Sequence, residues 1–345
     1  MRYAELSLGA QTAYAELLEQ TQALEMRHHL GRLKGSFHRK KLKGRDYWYF
    51  AWRDLDGGVR FAYVGPDDER VRLLIERHAA DKAASLEPRA RAAIALGCAA
   101  LPARHYRIVR RLADYGFFRA GGLLVGTHAF VALGNLLGVR WGDADRTLDV
   151  DFAHAGRNVS VALPANIRVD VHEALASLEM GLLPISQFGG EVGARYRNPR
   201  DPELRLDFVT PGHRGGAKPV QIPHLNVALQ PLKFMEYSLE AVTQGAVFAA
   251  EGATVVNLPA PARYAVHKLI VHGERPARER AKAVKDLHQA ACLAEYFARE
   301  RPRELNAAWR DALQRGPGWR KRARAGRAAL LKLAPELDKP ALWRE

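Results

Sequence analysis

The segment Thr147-Leu148-Asp149-Val150-Asp151-Phe152-Ala153 constrains this chain more than any other. Leu148, Val150 and Phe152 alternate with Asp149 and Asp151, and period-two alternation marks a strand with one face in a core. The apolar set turns inward, so the two aspartates share the opposite face. Neighbouring carboxylates repel, and a shared cation relieves the cost. Hard oxygen donors suit Mg²⁺ or Mn²⁺. Taken alone, the pair reads either as metal ligands or as the solvent-facing side of an amphipathic strand.

A third carboxylate shifts that balance. Leu204-Arg205-Leu206-Asp207-Phe208-Val209 alternates in the same way and stops at Pro211-Gly212. Three aspartates on neighbouring strands are what two-metal phosphoryl transfer requires, with the ions roughly 3.5–4 Å apart. Upstream, Gly121-Gly122-Leu123-Leu124-Val125-Gly126-Thr127 reads as a short apolar strand ending in Gly-Thr. A helix follows from about His128 to Leu137, with Phe130, Leu133 and Leu137 on one face. A glycine after a strand lets backbone approach phosphate, and the helix N-terminus favours an anion. No Gly-Lys-Ser/Thr follows, so this is not a P-loop, and the glycine spacing is wrong for a dinucleotide fingerprint.

The run Gly126-Thr127, helix, Asp149-x-Asp151 and a later Asp207 resembles the DNA polymerase β-type nucleotidyltransferase superfamily. Arg146-Thr147-Leu148-Asp149-Val150-Asp151 is similar to its Arg-x-Thr-x-Asp-hydrophobic-Asp form. That form occurs in bacterial nucleotidyltransferase-like proteins, including toxins of type IV toxin–antitoxin and abortive-infection systems. The resemblance covers about 119–210 and is looser over 255–295. Two departures stand out: Gly-Thr where many members have Gly-Ser or Gly-Gly, and an insertion-like loop from Gly138 to Asp145. The resemblance implies an α+β fold, with a mixed-sheet, polymerase β-like core. It implies that Asp149, Asp151 and Asp207 are catalytic and hold Mg²⁺ or Mn²⁺, and that Gly126, Thr127 and Arg146 bind the nucleotide. It places a triphosphate-contacting lysine on a helix after the core, Lys268 first and Lys285 second. Asp286 reads better as a structural ion pair.

Around this core the texture changes. Residues 1–34 form a helical arm. Residues 35–66 form a small β-meander in which Tyr47-Trp48-Tyr49-Phe50-Ala51-Trp52 is aromatic, Asp56-Gly57-Gly58 signals a hairpin turn and Val59 to Val64 is a second strand. Residues 67–115 form a helical connector, with the apolar run Ala92 to Ala103 as a buried helix. The core occupies 116–235, and 236–345 is mainly helical with a hairpin near Glu251-Gly252. The meander's basic run, Arg39, Lys40, Lys41, Lys43 and Arg45, reads as a phosphate tracker, and its rings mostly as the buried face of a small sheet. A second basic run, Arg320, Lys321, Arg322, Arg324 and Arg327, reads either as a grip on a nucleic-acid backbone or as a solvated helix end.

Charge bears on the partner. Lys plus Arg number 53 against 38 Asp plus Glu, a formal net charge of +15. That excess suits polyanions, although Arg-rich solvated helix faces account for it equally. The expected partners are an NTP or dNTP and a nucleic-acid acceptor such as tRNA or an oligonucleotide. The resemblance adds a partner protein of a toxin–antitoxin or defence system. Two alternatives stay open: a nucleotidyltransferase that modifies a protein or small molecule, and a degenerate nucleotide-binding module in which Asp207 is displaced or no pocket opens beside Gly126. Cys98 and Cys292 imply no disulfide framework. No apolar stretch is long enough to span a bilayer, and a cytoplasmic location fits. His128, His154, His172 and His288 lack metal-ligand spacing, and no Gly-x-Ser-x-Gly elbow points to a serine hydrolase.

Overall fold

The computed structural model describes residues 2–29, 35–42, 44–53, 59–73, 75, 86–142, 147, 149–155, 169–185, 193–212, 218–275 and 279–344. The chain opens with β1 (Tyr3–Glu5) and α1 (Leu8–His29), then β2 (Gly35–Leu42), β3 (Arg45–Arg53) and β4 (Val59–Pro66). Helices α2 (Glu87–Ala95) and α3 (Ala103–Asp114) lead into β5 (Leu123–Val125), α4 (Gly126–Leu136), β6 (Val139–Trp141) and β7 (Asp149–Ala153). Next come α5 (Val171–Ala176), β8 (Leu183–Pro184), β9 (Arg195–Asn198), β10 (Asp201–Pro211), β11 (Val220–Ile222) and β12 (Val227–Leu232). The rest is α6 (Glu236–Leu239), the hairpin β13 (Val242–Ala249) and β14 (Gly252–Pro259), then α7 (Pro261–His272), α8 (Arg280–Glu300), α9 (Pro302–Gln314) and α10 (Pro317–Leu333).

The architecture is α+β around a mixed seven-stranded sheet. Its order is β11-β12-β10-β7-β5, with β9 and β8 branching from β10. Strands β7, β10 and β12 run parallel, while β5, β9 and β11 are antiparallel to their partners. The alternation read from the sequence sorts the two faces. Val150, Phe152, Leu204, Leu206 and Phe208 are all buried. Phe152 stacks on Phe208 with ring centroids 5.2 Å apart, and Phe117 meets Phe152 edge-on at 5.6 Å. The opposite face carries the aspartates. Beyond them along the strands it becomes apolar, where Leu123, Val125, Ala153 and Val209 pack under Met235 and Leu239.

The C-terminal helices wall that second face. Helix α7 packs on α8 and on α10. At Gly326 the two backbones come so close that a Cβ would collide with the Leu269 carbonyl. Helix α8 is buried over much of its length, from Ala283 through Phe297.

Three expectations need correction. Ala92 to Ala103 is not one helix: α2 ends, Gly97 takes φ of 104°, and α3 starts anew after Pro102, which cannot continue a helical hydrogen-bond ladder. The meander has three strands rather than two, because the basic run itself pairs as β2 along β3. Its rings are not a buried face: Phe61 and Tyr63 are exposed, and Tyr47, Trp48, Tyr49 and Phe50 are half-buried. Among the described residues no helix is long and apolar enough to cross a membrane. The α7–α10 contact yields a test. Gly326→Val is expected to cost roughly 2 kcal/mol, read as a lowered urea midpoint at unchanged slope; an unshifted midpoint would contradict this packing.

Candidate active site

The pairing of β7 with β10 sets Asp207 directly beside Asp151 and Arg205 beside Asp149. Val125, the last residue of β5, lies opposite Asp151 on the other side. The strand-to-helix turn then begins with Gly126 at φ of 64°, in the left-handed region. A Cβ at this position would run into the Asp151 carboxylate. Only glycine allows both the backbone conformation and the close approach of that carboxylate.

Side chains from the C-terminal helices lock the turn. The Tyr264 hydroxyl lies 2.8 Å from the Gly126 carbonyl oxygen and 3.0 Å from Gln289 Oε1. Gln289 Nε2 donates to Thr127 Oγ1 at 3.3 Å. Thr147 Oγ1 accepts from the Asp149 amide at 3.3 Å at the mouth of β7.

A cleft of about 200 Å³ opens between the sheet and α6–α7, beside Gly126. Gly126, Thr127, Asp149, Asp151, Lys268 and Lys285, named from the sequence, all line it. So do Thr147 of the same motif and residues that sequence reasoning missed, among them Tyr264, Lys282 and Gln289. Burial, then Asp207, then Asp149 push the Asp151 carboxyl up to about 7. A raised carboxylate among carboxylates marks a place short of positive charge. Lys282 Nζ stands 3.9 Å from Asp149 Oδ2. Burial, then Lys268, hold the Lys285 ammonium below the ordinary lysine range.

Lys268 is less available than its position on the sequence implied. Its ammonium sits 2.7 Å from Asp286 Oδ1, and Arg275 Nε reaches Asp286 Oδ2 at 2.5 Å. Burial opposes the charge on Asp286, yet Lys268 and Arg275 outweigh it and hold the carboxyl below its usual range. Asp286 is therefore a structural ion pair, as expected, and Lys268 is its partner before it is anyone else's.

Asp207 is in register but does not line the cleft. Arg195 on β9, its cross-strand neighbour, holds it with Nε at 2.5 Å and Nη2 at 3.4 Å. Among the described residues, no three His, Cys, Asp or Glu side chains converge closely enough to hold a metal ion as they stand. The donor set nonetheless suits a hard divalent cation, with Asp149 and Asp151 facing one way and Asp207 one strand away. Asp207 is held instead by a half-exposed arginine.

The remaining sequence candidates lie elsewhere. Arg146 and Lys43 fall outside the described residues. Arg39 is taken up by Asp46 and Asp67, and Arg322 by Glu274. These two are ion-paired rather than presented to a phosphate, because each lies against an acidic loop or helix end. Lys40 lies over the Phe61 ring at 4.0 Å, and Lys41 and Lys321 are exposed. Arg320 and Arg324 line a separate groove with Arg310 between α9 and α10.

A family model described as nucleotidyltransferase matches residues 103–314, which include every cleft-lining residue named here. No curated protein matches the chain. A solved structure, an antigenic nucleotidyltransferase-like protein from Paracoccidioides brasiliensis, is similar at 19% identity and a TM-score of 0.31, over 66% of this chain and 95% of that one.

The shifted Asp151 carboxyl sets a pH dependence. A folded-state pKa above the unfolded value means the native state binds more protons between about 4 and 7, so its contribution to stability is lost as pH rises through that window. In the presence of a chelator, the stability of the wild type relative to Asp151→Asn should fall from pH 4 to pH 7, measured by urea unfolding. A difference that stays flat with pH would contradict the assignment.

Proposed function

The chain belongs to the nucleotidyltransferase family matched over residues 103–314, and from that premise we propose that it is a metal-dependent enzyme acting on a nucleic-acid acceptor. The observation that carries this reading is the register of Asp207 beside Asp151 across from Gly126. The acceptor oxygen bonds to the α-phosphorus of an NTP or dNTP, the α–β phosphoanhydride breaks, pyrophosphate leaves and the hydroxyl proton is released. Asp149 and Asp151 would hold Mg²⁺ or Mn²⁺, with Asp207 completing the set once Arg195 lets go. When bound, the ions supply Lewis-acid stabilisation of charge on the entering and leaving oxygens. Asp207, freed from Arg195, would polarise the acceptor hydroxyl. Gly126 offers a backbone that phosphate can approach closely, and α4 begins there. Lys285 and Lys282 neutralise the triphosphate, with Lys268 behind them.

Nucleic acid as acceptor rests on surface outside the cleft. The net charge is +15. The meander exposes Phe61 and Tyr63, and Lys40 lies over the Tyr49 and Phe61 rings, the mixture that grips single strands by stacking and phosphate contact. The Arg310, Arg320 and Arg324 groove adds a second basic surface. The likeness of Thr147 to Asp151 to defence toxins extends the proposal to such a setting, with a partner protein.

One observation favours a second reading, a nucleotide-binding module without catalysis: Arg195 occupies the third carboxylate. One experiment separates the two. The protein is incubated with Mg²⁺, total cellular RNA and each α-labelled NTP or dNTP. Catalysis predicts label in RNA from the wild type and a loss of at least a hundredfold in Asp149→Asn with Asp151→Asn. Undiminished incorporation by that variant would overturn the proposed roles, and no incorporation by the wild type would favour the module.

A further inference from the structure

Two buried polar atoms in the cleft wall have no hydrogen-bond partner among the described residues. They are Ser238 Oγ on α6 and His267 Nε2 on α7, both shielded from water. Both residues line the cleft. Native proteins leave few such groups, because an orphaned donor or acceptor forfeits its bonds to water without replacement. Ten such atoms occur among the described residues, and these two are set apart because their residues line a cleft that a ligand can enter.

Their position says which part of the ligand. The charged end of the cleft holds Gly126, Asp149, Asp151 and Lys285. Along the strands away from the carboxylates, the floor turns apolar at Val209, under Met235. Ser238 lies one turn beyond Met235, and His267 lies one turn before Val271 on the cleft face of α7. A nucleotide has the same two-part chemistry. Its triphosphate is a polyanion, and its base is a flat apolar ring with a polar edge. Burial pushes the His267 imidazole down to about 3, so at neutral pH the ring offers one donor and one acceptor rather than a charge. Rotation about a side-chain bond re-aims a hydroxyl or an imidazole.

We infer that Ser238 Oγ and His267 Nε2 read the polar edge of the substrate's nucleobase and so set which nucleotide the cleft accepts. The inference rests on the nucleotidyl-transfer reading above. Selectivity follows because a base whose donors and acceptors are reversed leaves both protein groups unpaired, and a site built to hydrogen-bond rejects such a ligand strongly.

The test is calorimetric titration of the full chain with ATP, GTP, CTP, UTP and inorganic tripolyphosphate, each with Mg²⁺. Wild type, Ser238→Ala and His267→Leu are compared. The wild type should prefer one base by about tenfold or more. Each variant should lose roughly tenfold of that preference while its tripolyphosphate affinity is unchanged. Ser238→Ala should also leave the thermal midpoint of the nucleotide-free protein undiminished, since the hydroxyl it removes has no partner. If His267→Leu fails to fold, Ser238→Ala carries the test alone. Tripolyphosphate binding without base preference, or a preference that survives in the variants, overturns the inference and leaves nucleotidyl transfer standing. A wild type that binds neither nucleotide nor tripolyphosphate removes both.

Discussion

The candidate site depends on one pairing, the parallel ladder between β7 and β10. It sets Asp207 in register with Asp151, with Asp149 one step along the same face. Slipping the register by one residue would turn every aspartate inward and every phenylalanine outward. The buried stack of Phe152 on Phe208 therefore does two things at once. It closes the core on one face, and it fixes the like charges side by side on the other. Burial first, and then this repulsion, raise the Asp151 carboxyl above its ordinary range.

The surrounding cations answer that repulsion in layers. Lys268 and Arg275 are committed to Asp286, which anchors α7 to α8 beneath the cleft. Breaking a buried pair by removing one partner costs several kcal/mol, roughly 3–5, so these groups serve as framework. Lys282 and Lys285 come from the exposed and half-buried side of α8 and line the cleft, with Lys282 beside Asp149. Arg195 sits on the far side, on a half-exposed strand, where its pair with Asp207 is partly screened by solvent. The Lys268 and Arg275 charges are fixed on Asp286, and Lys282 and Arg195 are the more solvent-facing ones.

Local patterns were legible in the sequence, and long-range partnerships were not. Period-two alternation around Asp149 and around Asp207 located both strands and assigned their faces. The Gly126-Thr127 turn and the hairpin at Glu251-Gly252 were read from turn chemistry alone. Arg195 escaped because nothing local marks a residue as the cross-strand neighbour of Asp207. Lys282 and Gln289 escaped for a similar reason, since α8 carries many polar residues and only its packing angle selects those that face the cleft. Lys268 was placed correctly on a helix after the core, but its capture by Asp286 depends on how α7 and α8 meet. The meander misled in the opposite direction: its aromatic run suggested a buried face, yet Tyr47 to Phe50 are only half-buried and Phe61 and Tyr63 are exposed.

The central claim is that Asp149, Asp151 and Asp207 together hold divalent cations. Mn²⁺ binding followed by electron paramagnetic resonance, with a non-hydrolysable NTP analogue present, tests it most directly. Saturable binding to the wild type, lost in Asp151→Asn and weakened in Asp207→Asn, is the expected result. A wild type that leaves Mn²⁺ free in solution, or an Asp151→Asn variant that binds it as tightly as the wild type, would contradict the account.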